Sequence, residues 1–397
     1  MHQKNNNIPV RFQTQSKAFF DFWEFEGGLS LLKQLPVKPN VEEAGKFVPY
    51  FYKVDDLADA VIEEHCKNPK TFIQDIDQII SSILKTNNEG LSSSVLNLKN
   101  QVTKLPSWLD KELLNMGCEV CNISGKSGLI ILRNYSLMTG YMSAAINKPL
   151  IATGALKKGP TKRIGETTEF WVAVTQKDNL KIGNQGFYFA LKTRLIHSFS
   201  RKMILQHTSW EIDQQGLPLN QWDMLATYLG FSVVFLEGLK KVGFTFSDQE
   251  HKATYHLWRY IGYLIGIPDE ILPQEHLQAI ESLYLWTRTQ PEADEDTIQL
   301  AQALHMEPLL SQFPPRRFEK KFIQNVNLGF DYYLIGSKSC EILNLPKAPI
   351  FKQLIKTVVF INKADILLTK IIPNYKSYLI KKGLNEQIKI EKSFLYK

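Results

Sequence analysis

Hydrophobic residues along most of the chain recur at intervals of three and four, which is the spacing of one face of an α-helix. Turn-forming residues separate the segments that have this pattern, which are 54–64, 71–85, 133–146, 165–175, 187–206, 220–242, 247–265 and 275–289. The chain has no strand, glycine loop and helix in the order that a Rossmann unit requires. The pattern predicts a mainly α fold that forms a single globular helical domain.

The segment 220–242 is apolar on nearly every face, which is typical of a helix enclosed by other helices. Asn220 is placed to cap its start, and Ser247 lies three residues before Glu250 in the arrangement of a capping box. We therefore predict that segment 220–242 packs beside segment 187–206 at the centre of the fold.

The composition is that of an ordinary globular protein, with 44% hydrophobic and 22% charged residues. The net charge is +7, and residues 351–397 account for all of it with ten lysines and three acidic residues. A nucleic-acid-binding core would instead spread its cations over the folded body, so that class is not expected. The basic tail is interpreted either as a solvated helix face or as a peripheral membrane contact, because its lysines flank the apolar run 357–361.

Residues 1–8 lack the apolar core of a secretory signal, and the most apolar stretch, 228–239, is too short to span a membrane and contains Glu237. We expect a soluble, cytoplasmic protein with no transmembrane segment. Cys118 and Cys121 have CxxC spacing without a second ligand pair nearby. They are either a metal or redox pair or two thiols of the core.

Two stripes of polar residues carry the candidate chemistry. Arg194, His197 and Arg201 share one helix face, as do Arg163, Glu166, Thr167 and Phe170 in the other stripe. The first stripe is consistent with cations paired to carboxylates, or with an imidazole that binds a metal while guanidiniums bind carboxylates of a cofactor. The second is consistent with an exposed helix start or with a site.

Four sequence blocks resemble the catalytic domain shared by rubber oxygenases (latex clearing proteins) and MpaB-type oxygenases. They are RIGETTEF (163–170), LKTRLIHSFSRKM (191–203), LPLNQWDMLATYLGFSVVFLEGLKKVG (217–243) and HLWRYIGYLIGIPDEILP (256–273). The resemblance implies a catalytic core over 111–290, preceded by a helical extension (1–110) and followed by a second one that includes the basic tail (291–397).

The resemblance also implies roles for individual residues. His197 matches the family's axial ligand to the iron of haem b, in a pocket between the central helices. Arg194 and Arg201 are then expected to hold the haem propionates or the helix that frames them. Arg163 and Thr167 match residues on the distal side of the haem.

Two positions depart from the pattern of the rubber-cleaving members. Glu166 stands where those members have a lysine, and Asn147 lies near the position of their upstream acid. Glu166 is therefore a candidate catalytic base, since a carboxylate beside an apolar pocket is suited to accept a proton.

By resemblance, the function is a haem-dependent oxygenase that uses O2 to cleave a C=C bond in a hydrophobic, isoprenoid-like substrate. The alternatives are a haem-binding or sensing protein without oxygenase activity and a helical interaction protein without haem. Several aromatic residues at helical spacing are interpreted as core or as pocket lining: Trp222, Tyr228, Phe231, Phe235, Tyr255 and Trp258.

Overall fold

The computed structural model describes residues 8–154, 159–347 and 351–395, and these residues form helices and connecting segments without any β-strand. The prediction of a mainly α single domain is confirmed. The helices before residue 110 are α1 (Phe20–Phe25), α2 (Leu29–Leu32), a 3-10 helix (Val41–Phe51), α3 (Asp56–His65), α4 (Phe72–Leu84) and α5 (Ser93–Thr103).

The central part of the chain begins with a helical run that contains one π-helical turn. This run consists of α6 (Lys111–Ile123), α7 (Gly125–Ile131), a π-helix (Leu132–Leu137), α8 (Met138–Gly140) and α9 (Ala144–Ala152). The helices that follow are α10 (Pro160–Thr175), α11 (Gln185–His207), α12 (Ile212–Gln215), α13 (Gln221–Leu229), a second π-helix (Gly230–Val234), α14 (Phe235–Lys241), α15 (Asp248–Leu264), a 3-10 helix (Asp269–Ile271) and α16 (His276–Arg288).

The last part contains α17 (Glu295–Leu310), α18 (Arg317–Leu334), α19 (Ser337–Ile342), α20 (Phe351–Leu368) and α21 (Tyr375–Leu395). Among the residues that the structure describes, no helix combines the length and the apolar character that a membrane span requires.

Close packing of α6 on α15 forms one side of the core. A methyl group at Gly117 would overlap the carbonyl oxygen of Ala253, so glycine allows the two backbones to approach. Cys118 and Cys121 lie buried in this contact as free thiols, and burial raises the pKa of Cys118 to about 12. Protonated, buried thiols fit the interpretation of these residues as part of the core.

The predicted segment 220–242 is helical from Gln221 to Lys241, and a π-helical turn divides it at Gly230–Val234. Asn220 caps its start by accepting a hydrogen bond from the Asp223 amide at 3.0 Å, as expected. The carbonyl of Gly230 in this turn accepts from the Ser136 hydroxyl at 2.7 Å. Ser136 belongs to the other π-helix, so a side chain of one π-helix satisfies the backbone of the other.

The predicted helix over 133–146 is interrupted between α8 and α9. The Asn147 side chain donates to the Gly140 and Ser143 carbonyl oxygens at 2.9 and 2.7 Å, which satisfies backbone groups at the interruption. In contrast, the capping box of Ser247 and Glu250 at the start of α15 is present as predicted.

Candidate active site

A large internal cavity of about 1650 Å³ lies between α10, α11 and the segment 221–241. Both α11 and segment 221–241, which were predicted to pack side by side, contribute residues to its lining. More than half of the lining side chains are apolar, and the rest include charged side chains such as Lys126, Arg133 and Lys192. This cavity is the candidate active site.

His197 lies on the face of α11 that lines the cavity. Its Nδ1 atom is buried and has no hydrogen-bond partner. Burial, and to a smaller extent the nearby Arg201 cation, lowers the pKa of His197 to about 4. The ring is therefore neutral at pH 7 and keeps a lone pair for a ligand.

Arg163 and Thr167 lie one turn apart on α10, and both line the cavity. The Nη1 atom of Arg163 donates to the Tyr141 hydroxyl at 2.9 Å, and the guanidinium carbon lies 5.7 Å from the centroid of the same ring. Tyr141 thus positions the guanidinium. The structure brings Arg163, Thr167 and His197 to the same cavity, as the sequence predicts.

Glu166 lies at the rim of the cavity, where 63% of its side chain is exposed. Its carboxylate faces Lys162 at 3.7 Å on the same helix. A buried base requires an apolar setting, and this exposed position does not supply one. Glu166 therefore lies at an exposed helix start, which is one of the two interpretations that the sequence offered for this stripe.

Arg194 and Arg201 are buried but are not part of the cavity lining. Arg194 donates to both carboxylate oxygens of Asp55 at 2.6 and 2.8 Å. Arg201 pairs with Asp59 and donates to the carbonyl oxygens of Pro218 and Leu219. These contacts favour the second of the two expected roles, holding the helix that frames the site, because the guanidiniums bind carboxylates of the N-terminal segment. They hold α11 in place.

Asn147 lines the cavity, but its amide donates to backbone carbonyls as described above. The Asn147 side chain therefore stabilises the local backbone conformation and does not supply an acid. Among the aromatic candidates, Tyr228, Phe231 and Trp258 line the cavity, and the lining does not include Trp222, Phe235 or Tyr255.

A stack of three aromatic rings, from three different helical elements, forms part of the wall. The Trp258 centroid lies 4.8 Å from that of Phe231 and 5.5 Å from that of Trp171. All three residues line the cavity. Trp171 was not among the candidates, although it directly follows the RIGETTEF block. The stack makes this wall rigid and apolar.

A buried polar cluster that sequence reasoning missed borders the cavity, and its residues lie outside the four family blocks in the sequence. Arg133 and Glu307 both line the cavity, and their closest charged atoms are 3.6 Å apart. Burial raises the pKa of Glu307. Asp331 is fully buried with both oxygens unpartnered, and burial raises its pKa to about 8. Arg133 opens a helix-like pattern in the sequence, but no local signal pairs it with residues 170 or more positions away.

The C-terminal helix α21 supplies another wall, with Lys389, Ile390 and Phe394 in the lining. The fully buried Gln387 contributes to its attachment, together with an ion pair from Lys376 to Glu250 at 2.8 Å. The Gln387 amide donates to the Cys121 and Gly125 carbonyl oxygens and accepts from the Trp171 indole at 3.2 Å.

Residues 125–359 match the sequence model of the catalytic domain of ER-bound oxygenase MpaB/B′ and rubber oxygenase. The chain belongs to this family. It is 24% identical over 288 residues to a rubber oxygenase from Streptomyces sp. (strain K30), in a match that covers 68% of this chain and 64% of that protein. The structure of a latex clearing protein in the closed state has the same fold, with a TM-score of 0.62, 19% identity, and coverage of 84% of this chain and 91% of that one.

The region that matches the MpaB and rubber oxygenase family starts at α7 and ends within α20. It therefore begins and ends later than the predicted core of 111–290. The residues that anchor two cavity walls, Asp55, Asp59 and Gln387, lie outside the family match. Segments before and after the family region thus complete its cavity.

Proposed function

We propose that the protein is a haem-dependent oxygenase that uses O2 to cleave a C=C bond in a hydrophobic, isoprenoid-like substrate. The observation that carries the proposal is the His197 imidazole, which is neutral and lacks a partner at Nδ1 in the wall of a large apolar cavity. Family membership supports the oxygenase class.

The residues present fit a haem. The porphyrin would supply four nitrogen ligands itself, so the chain would need to contribute only one imidazole, that of His197. This requirement suits the described part of the chain, in which no group of three or more His, Cys, Asp or Glu residues is arranged to hold a metal ion. The volume of about 1650 Å³ exceeds the roughly 300–1,000 Å³ of a typical small-molecule site, which leaves space for a substrate beside the macrocycle.

A haem held by His197 would supply the activation of O2. The chain supplies the surroundings. The rings of Trp171, Phe231 and Trp258 bind an apolar chain and exclude water from the cavity. The Arg163 guanidinium, oriented by Tyr141, offers a fixed positive charge and hydrogen-bond donors. Thr167, one turn away, offers a hydroxyl that both donates and accepts.

The lining favours substrates without charge. The Streptomyces relative carries the name rubber oxygenase, and an unsaturated isoprenoid is the substrate class we propose here. Transfer of an apolar alkene from water into this cavity is favourable, by about 25 cal/mol per Å² of buried apolar surface.

A second candidate is a haem-binding or sensing protein that has lost oxygenase activity. The observation in its favour is that neither position 166 nor position 147 supplies a buried catalytic acid or base. Glu166 is exposed at the rim, and Asn147 uses its amide to hold the backbone. Glu307, a buried carboxyl group in the lining, is the group that would take over a proton-accepting role if the oxygenase is active.

The test is an absorption spectrum of the purified protein, followed by O2 consumption with an isoprenoid alkene. We expect a Soret band in the wild type and its near-complete loss in His197→Ala, with helical content unchanged by circular dichroism, because one coordinate bond is removed. His207→Ala is the matched control, since His207 is an exposed histidine at the end of the same helix.

Full haem occupancy in His197→Ala would refute the ligand assignment. A Soret band without any alkene-dependent O2 consumption would favour the haem-binding or sensing protein. A protein that binds no haem after reconstitution would refute both candidates.

A further inference from the structure

The turn between α17 and α18, with the adjoining helix ends, presents an exposed apolar and basic surface, which we call the basic hairpin (residues 306–323). Leu310 and Phe318 are 63% and 66% exposed. The other exposed apolar side chains of this segment are Met306, Phe313, Phe322 and Ile323. Exposed apolar patches of this kind mark interaction surfaces.

The ends of the two helices are joined by side-chain contacts, so the exposed residues form one surface. The Gln324 amide donates to the His305 carbonyl oxygen at 3.4 Å and lies 3.2 Å from the Met306 sulfur. Met306 and Leu310 are four residues apart on α17, and so are Phe318 and Phe322 on α18. Each pair therefore shares one helix face.

Four cations accompany these apolar residues in the short run 316–321, namely Arg316, Arg317, Lys320 and Lys321. None of the four forms an ion pair with a residue in the described ranges 8–154, 159–347 and 351–395. The only acid in the run is Glu319. The surface thus combines apolar side chains with an excess of positive charge.

This surface is continuous with the candidate active site. Phe313, Phe322 and Ile323 are exposed and also line the cavity, together with Pro314 and Pro315. The basic hairpin therefore forms an apolar part of the cavity rim. A molecule that dissolves in lipid would pass from this rim to the interior over apolar side chains.

We propose that the basic hairpin docks the protein on an anionic lipid bilayer and opens the cavity toward it. The apolar side chains enter the interface between headgroups and acyl chains, and the four cations contact anionic headgroups. The interaction goes beyond the proposed function and does not depend on haem chemistry.

The basic tail after residue 350 was the segment for which sequence alone suggested a membrane contact. It too has exposed apolar residues, such as Phe360 and Ile361. Those two residues are not part of the cavity lining, whereas Phe313, Phe322 and Ile323 are. A bilayer at the basic hairpin would deliver an apolar substrate directly to the cavity, and this continuity favours the hairpin over the tail.

The test is flotation of the full-length protein, as purified, with vesicles of phosphatidylcholine alone or with 30% phosphatidylserine. We expect binding to the anionic vesicles only, and release in high salt. Arg316→Gln/Arg317→Gln/Lys321→Gln should lower the partition coefficient about 100-fold, since each cation near the surface contributes about 1 kcal/mol. Leu310→Ser/Phe318→Ser should lower it about tenfold.

Matched controls carry the same chemistry elsewhere on the surface. Phe25→Ser/Val37→Ser removes two exposed apolar residues, and Lys67→Gln/Lys70→Gln/Lys104→Gln removes three exposed cations. Both controls should bind as the wild type does, and all variants should keep its melting temperature because the changed side chains are exposed.

Failure of the wild type to bind anionic vesicles would overturn the proposal, and so would unchanged binding by both hairpin variants. A dimer in sedimentation that the hairpin substitutions dissociate, without vesicle binding, would assign the surface to a second copy of the chain instead. Vesicle binding is read without turnover, so these outcomes are separate from the haem and O2 measurements.

Discussion

Two walls of the cavity are attached to the rest of the molecule by different chemistry. Helix α11, which carries His197, is held by buried ion pairs from Arg194 to Asp55 and from Arg201 to Asp59. The buried polar contact that holds helix α21 on another side is the neutral amide of Gln387, while its charged contacts, from Lys376 to Glu250 and from the Lys126 amide to Glu386, lie at the exposed surface.

The difference matters because a buried charge that loses its partner costs more free energy than a neutral group that loses a hydrogen bond. The position of α11, which carries the candidate iron ligand His197, is therefore fixed more strongly than the position of α21. The wall formed by α21 is attached by weaker contacts and is expected to open at a lower free-energy cost.

The largest expected effect is that of Asp55→Ala, which leaves the Arg194 guanidinium buried without its carboxylate. We expect a loss of about 3–5 kcal/mol in the free energy of unfolding, measured by urea denaturation. Asp56→Ala is the control, because Asp56 is the exposed neighbour in the same helix start. Equal, small losses for both variants would show that the ion pair does not anchor α11.

Gln387→Leu should have a smaller effect, since it leaves neutral partners such as the Trp171 indole unsatisfied. We expect a loss of about 1–3 kcal/mol. Hydrogen exchange should accelerate in residues 375–395 and stay unchanged in residues 185–207. Asn385→Ala, at an exposed position on the same helix, should change neither. Uniform acceleration in both helices would contradict independent attachment of the two walls.

Acidification should destabilise the haem-free protein through His197. Its pKa is lowered to about 4 in the folded state from 6.5, so the unfolded chain binds the proton more readily between these values. The neutral His197 ring makes its full contribution to the free energy of unfolding above pH 6.5. This contribution is lost as the pH falls toward 4. His197→Gln should flatten this part of the pH profile of stability by about 3 kcal/mol. An unchanged profile would show that the ring is not desolvated.

The smallest effect is expected for Glu166→Gln. The side chain is exposed, and its contact with Lys162 is a surface pair, so stability should change by less than about 0.5 kcal/mol. The Soret band and O2 consumption should resemble those of Glu169→Gln, three residues along the same helix. A spectral change confined to Glu166→Gln would return Glu166 to the site.

The sequence predicted much of the helical framework because helix periodicity and capping are local. The capping box at Ser247 and the Asn220 cap are read from residues three positions apart, and the structure contains both. The interruption after Gly140 was missed because it depends on where the Asn147 side chain forms its hydrogen bonds. The π-helical turn at Gly230 was missed because its carbonyl is satisfied by Ser136, 94 residues away.

The sequence by itself determined the helical class, the family and the helix face that carries His197, since each depends on the order and spacing of nearby residues. Only the tertiary structure decided that Arg194 and Arg201 bind Asp55 and Asp59, that Glu166 is exposed, and that α21 closes one side of the cavity. The partners of Arg194 and Arg201 lie 139 and 142 residues away along the chain. The spacing of Arg194 and Arg201 along α11 shows only that the two lie near each other on the helix surface. Which partners they bind depends on how distant segments pack.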